Sequence, residues 1–133
     1  MMMKKYASLL SAFVLALSLS VSAAAWTYAE LAPVGEGSYV AEEAGILSAD
    51  DCTALNEAAA AVSEQYGCGV YVVTVDDMAD YIDPDAVTET GETGMAAFTE
   101  YAWDALGLAD SYDGNGIILA LSMAERDFEL MAH

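Results

Sequence analysis

The sequence predicts an α/β fold, a small central sheet of at least three strands with helices packed on it. Three observations carry this reading. A β-branched and aromatic run at residues 70–75, flanked by Gly69 and Asp76, has the composition of a central strand. A second run at residues 116–123 holds Ile117, Ile118, Leu119, Ala120 and Leu121 without polar alternation, the pattern of a strand buried on both faces. Helical periodicity precedes each run, and the order helix, strand, helix, strand, strand argues helices packed on a sheet.

Taken in chain order, residues 1–25 read as a secretory signal peptide. Lys4 and Lys5 open it, an apolar stretch at residues 9–21 follows, and Ser22, Ala23, Ala24 and Ala25 supply small residues for cleavage. The stretch is too short for a membrane span of about 20 residues. Its expected product is extracytoplasmic, secreted or held at the cell surface. Residues 26–38 form a leader without periodicity, and one α/β domain is expected over residues 39–133.

The most secure helix begins at Ser48, which with Asp51 makes a capping-box-like start. Cys52, Leu55, Ala59, Val62 and Tyr66 recur at spacings of three and four as one apolar stripe. Gly67 supplies the stop. After the strand at 70–75 comes an acidic stretch, residues 76–94, with Asp83-Pro84-Asp85 as a turn or helix start. A second helix is expected over residues 95–106, burying Met95, Phe98, Ala102 and Leu106, and ending at Gly107. Asp113, Gly114, Asn115 and Gly116 then form a tight turn, since Gly and Asn tolerate positive φ. The strand at 116–123 follows, then a turn at 124–126 and a partner strand at 127–132.

Charge and inventory exclude several functions. Both lysines lie in the signal segment, so Arg126 alone faces 22 carboxylates in the rest of the chain. Such a field repels nucleic acid and anionic lipid, and favours divalent cations, whose ligands are carboxylate and carbonyl oxygens. Solubility outside the cell is the plainer account of the same charge. Ser-His-Asp chemistry needs a placed His, and His133 is terminal. A zinc site needs four ligands, and the chain offers Cys52, Cys68 and His133, far apart. An intact helix holds the two cysteines roughly 20 Å apart at about 1.5 Å per residue, beyond the reach of about 7 Å for a disulfide. Both are expected as buried free thiols. An EF-hand is excluded because Ser111 and Ser122 would occupy its first and twelfth positions. Trp26, Tyr28, Trp103 and Tyr112 fall outside the apolar stripes, as scattered surface aromatics or as part of a partner surface.

Three segments taken together resemble the TPM-domain family. They are Val40-Ala41-Glu42-Glu43-Ala44-Gly45-Ile46-Leu47-Ser48, then Val70-Tyr71-Val72-Val73-Thr74-Val75-Asp76, then Asn115-Gly116-Ile117-Ile118-Leu119-Ala120-Leu121-Ser122-Met123 with Arg126-Asp127-Phe128. The family's members are exported or lumenal α/β domains classed as phosphatases after a thylakoid-lumen member with acid phosphatase activity. Where the family has Asp in its first motif, this chain has Glu42, one methylene longer. The family's domain continues past the last strand into a Gly-containing turn and further helices, so the resemblance implies an incomplete C-terminus.

The resemblance implies calcium held by acids near strand ends, which points to Glu42, Asp113 and Asn115, with Asp76 beside them. Asp76 also follows from physics, because ligands in open α/β sheets bind outside the carboxyl ends of strands. The competing account of Asp113 and Asn115 is an Asn-Gly turn with solvated acids. For phosphate-ester hydrolysis the metal would activate water, with Asp113 beside it, and Arg126 would clamp the phosphate. Arg126 as a turn residue paired with a nearby acid is the alternative. Two functions follow as expectations: a calcium-binding acid phosphatase, or a non-enzymatic envelope module that binds a membrane or surface protein.

Overall fold

The computed structural model describes residues 27–133; the signal peptide expected at residues 1–25 and Trp26 lie outside the described residues. A four-stranded sheet runs in the order β1 (Val40–Glu42), β2 (Gly69–Val75), β3 (Gly116–Ser122), β4 (Asp127–Ala132). The first three are parallel and β4 returns antiparallel after a tight turn. Helix α1 (Ala49–Tyr66) connects β1 to β2, and α2 (Met95–Ala105) lies between β2 and β3. The α/β fold expected from the sequence is the fold observed. Strand β1 is an addition: three residues gave no periodicity to read, yet Val40, Ala41 and Glu42 pair with Val72, Val73 and Thr74.

Helix α1 starts and stops as its sequence dictates. The Ser48 side chain accepts from the Asp51 amide at 3.1 Å, and the Ser48 amide donates back to the Asp51 carboxylate at 3.3 Å. Gly67 closes the helix at φ 63°. The buried stripe differs from the expected one. Ala59 and Ser63 are its buried residues, Cys52 and Leu55 are half-buried, and Val62 and Tyr66 are 43% and 71% exposed. A buried serine takes the place of an apolar marker: Ser63 Oγ accepts from the Val70 amide at 2.8 Å, satisfying a backbone donor at the start of β2. Both cysteines are free and half-buried rather than buried.

The register divides the sheet into two unequal faces. On one, Tyr71, Val73, Ile118 and Ala120 sit in register and pack with Phe98, Ala102 and Trp103 of α2, while Ala59 of α1 joins the same core. Trp103 meets Tyr71 edge-on at 6.0 Å, and a Cβ at Gly116 would lie 2.7 Å from its ring. On the other face stand Val40, Val72, Leu119 and Leu121, all half-buried, with Ile117, Phe128 and Leu130 exposed. The strand at 116–123 is therefore buried on one face only, a correction to the sequence reading. The apolar run of β3 reads as burial on both faces, and the described residues cover one.

The leader is tied down without forming an element. Leu31 is buried, and the amides of Ala29, Leu31 and Val34 donate to Asp80 O, Tyr101 Oη and Leu106 O. In the acidic stretch Asp83 accepts from the Asp85 amide at 2.8 Å, making the expected turn rather than a helix. Trp103, read as a surface aromatic, is core.

Candidate functional site

The residues singled out from the sequence fall into two groups at opposite ends of the sheet. Glu42 closes β1, Asp76 follows β2, and Arg126 lies in the turn after β3, so these three share the carboxyl end. The Ala124 amide donates to Asp76 O at 2.7 Å, which fastens that turn beside Asp76. Asp113 and Asn115 precede β3 at its amino end. Seven residues of strand separate the two groups, roughly 20 Å at about 3.3 Å per residue. One ion cannot bridge all four named metal ligands, and Asp113 does not meet Arg126.

Glu42 has a defined task. Its Oε1 accepts from the Ile46 amide at 2.7 Å, and its Oε2 accepts from the Thr74 hydroxyl, which is itself buried. Burial pushes its pKa up, but the Thr74 hydroxyl and the amides of Ile46, Leu47 and Gly45 outweigh this and hold it below the usual carboxylate range. The carboxylate thus folds residues 43–47 back over the end of β1 and delivers the chain to α1. On β3 the buried Ser122 hydroxyl donates to the Glu125 carboxylate and accepts from the Met78 amide at 2.9 Å. Asp76 and Arg126 remain exposed.

Calcium takes six to eight oxygen ligands, and the donors can be tested against that demand. Among the described residues no three Asp, Glu, His or Cys side chains gather into one set. No buried side-chain polar atom among them lacks a hydrogen-bond partner. Both oxygens of Glu42 are already engaged. As arranged, these residues do not fit a resident calcium ion.

The amino end carries what sequence reasoning missed. Tyr39, Tyr71 and Tyr112 line a recess of about 220 Å³ together with the loop 33–38 and residues 106–111. Tyr39 stacks on Tyr71 at 5.6 Å, and the hydroxyls of Tyr39 and Tyr112 are 2.5 Å apart. That pairing, with burial and the neighbouring phenol, pushes the Tyr39 pKa up to about 12. Positive φ falls on Tyr112 (53°), Asp113 (56°) and Gly114 (78°), while Asn115 is extended at −84°. The turn expected at 113–116 therefore begins one residue earlier and asks a tyrosine to adopt the left-handed region, at a cost of about 1–3 kcal/mol. The Tyr112 side chain, unlike a glycine, reaches Tyr39. Of these tyrosines the sequence marked Tyr112 alone, as an aromatic outside the apolar stripes; Tyr39 and Tyr71 come from separated segments and carried no local signal.

The sequence matches the TPM domain family over residues 40–132, which takes in all four strands and both helices. The N-terminal domain of a protein from P. gingivalis, solved by solution NMR, has a similar fold, with a TM-score of 0.54 at 20% identity. The match covers 74% of this chain and 55% of that one, so the chain spans little more than half of the solved chain's length. No curated protein matches the sequence. A family match across most of the chain, on the strands and helices just described, makes this protein a member of the TPM domain family.

Proposed function

We propose that this chain is an extracytoplasmic interaction module whose binding surface is the face of its sheet that the described residues leave uncovered. Its partner is a helical segment of a membrane or surface protein, apolar along one side and bearing lysine or arginine along its flanks. One observation supports this above others: Phe128 and Leu130 are 64% and 61% exposed, and Ile117, Leu119, Leu121, Val72 and Val40 continue the apolar surface to β1. Soluble domains rarely expose contiguous apolar patches beyond a few hundred Å² unless something docks there. The occupant follows from charge. With Arg126 as the lone permanent cation of the described residues, an acidic second copy or an anionic membrane is repelled, and a basic-flanked helix is attracted.

The test is titration of a fluorescent amphipathic peptide with a leucine face and lysine flanks, against a scrambled peptide of equal composition. The expected result is saturable binding of the first, lost in the Phe128→Asp and Leu130→Asp variants. Equal binding of the scrambled peptide, or binding indifferent to both substitutions, overturns the proposal.

The metal-dependent acid phosphatase implied by the family likeness keeps one supporting observation, the placement of Glu42, Asp76 and Arg126 at the same, carboxyl end of the sheet. It predicts hydrolysis of p-nitrophenyl phosphate that calcium raises and EDTA abolishes. No turnover above background under either condition rejects it.

A further inference from the structure

The recess at the amino end of the sheet lies apart from both of these surfaces, and hydrogen bonds tie down its walls. The loop 33–38 is pinned at one end by the Val34 amide on Leu106 O at 3.2 Å and at the other by the Tyr39 amide on Asn56 Oδ1 at 2.7 Å. The facing wall is the Tyr112 turn, braced by the Gly114 amide on Ser111 O and the Asn115 amide on Tyr112 O, each at 3.0 Å. Such rigidity reduces the ordering cost of binding.

The lining selects for charge and size. Two carboxylates, Glu36 and Asp110, share it with the three phenols. Arg126, the one Lys or Arg among the described residues, sits at the far end of β3, so neither acid has a permanent protein cation beside it. Phenol rings and carboxylates together favour an organic cation: Tyr112, the most open of the three, offers an electron-rich ring, Tyr39 and Tyr71, stacked and buried, form the back of the recess, and the acids supply a full charge. About 220 Å³ corresponds to roughly seven waters at ~30 Å³ each, room for a ligand of about that many heavy atoms. The left-handed Tyr112 places a third aromatic residue, half-buried rather than buried, in the wall.

We propose that this recess binds a small quaternary or methylated ammonium ion of about choline's size, held by Tyr112, Tyr39 and Tyr71 with Asp110 and Glu36. The experiment is an NMR titration of the protein with choline at fixed ionic strength, against 3,3-dimethylbutan-1-ol, the uncharged isostere. Saturable shifts are expected around residues 35–39 and 107–112, with the neutral isostere about tenfold weaker. Tyr112→Ala should abolish binding. Asp110→Asn, an exposed change that leaves every ring in place, should weaken it severalfold. Equal affinity for the isostere, no saturable shifts, or choline binding unchanged in Asp110→Asn and Tyr112→Ala would each overturn the assignment.

Discussion

Replacing Glu42 by Gln separates two roles that a carboxylate at a strand end can have. If Glu42 were chiefly a metal ligand, its loss would abolish a calcium response and leave the metal-free protein as stable as before. Its contacts argue otherwise. The carboxylate accepts from the buried Thr74 hydroxyl and from the Ile46 amide at 2.7 Å. Charge-assisted hydrogen bonds contribute about 1.5–3 kcal/mol each, discounted here because Glu42 is half-exposed. Gln keeps an acceptor oxygen for the Ile46 amide, and its NH2 can donate to the Thr74 hydroxyl, so the loss is the charge assistance of the two bonds, about 1 kcal/mol. For a domain of this size that lowers the melting midpoint by roughly 5 °C. The assay is thermal unfolding by circular dichroism in EDTA, with calcium and magnesium in parallel at matched ionic strength. The pH profile adds a second reading. Because the folded pKa lies below the ordinary 4.5, the stabilisation is fully present above that value. It fades as pH falls through the lower, folded value. The variant should lose part of this acid-side dependence. A variant that melts with wild type in EDTA would refute the structural role assigned to Glu42.

Three further outcomes follow from the packing. Gly116→Ala should destabilise by about 1–3 kcal/mol, because its Cβ would lie 2.7 Å from Trp103 and 3.0 Å from Gly69 O, a loss measurable by urea denaturation. Ser63→Ala should cost about 1–3 kcal/mol by the same measurement, since the Val70 amide loses its acceptor in the interior. Arg126→Gly should raise stability slightly, by up to about 1 kcal/mol, because residue 126 sits at φ 54° where glycine is unstrained; a stability loss there would reveal an ion pair that matters.

Legibility from sequence followed the range of the signal. The capping box of α1, the Gly67 stop and the β-branched run of β2 are local and were readable as they stand. The family segments were readable because three weak motifs kept one order and spacing. Strand β1 was silent, since three residues beside a longer strand carry no period of their own. Val62 and Tyr66 were misplaced because a helix spaced by threes and fours has two candidate stripes, and Ser63 marked the buried one with a hydroxyl. The candidate site failed on topology. Asp113 and Asn115 precede a parallel strand while Glu42 and Asp76 follow theirs, a polarity that residue types alone do not encode. The tyrosine recess needed three segments brought together by pairing of β1, β2 and β3.

The pairing of β3 with β4 also sets a kinetic order. These two strands are joined by a tight turn and can zip within microseconds, whereas β2 reaches β3 only after the acidic loop and α2 have been gathered in. An early hairpin would display Ile118 on one side and Phe128 and Leu130 on the other, with no helix yet over either. The dense negative charge of the rest of the chain then acts during folding, keeping such half-built molecules from meeting one another until the core side is covered.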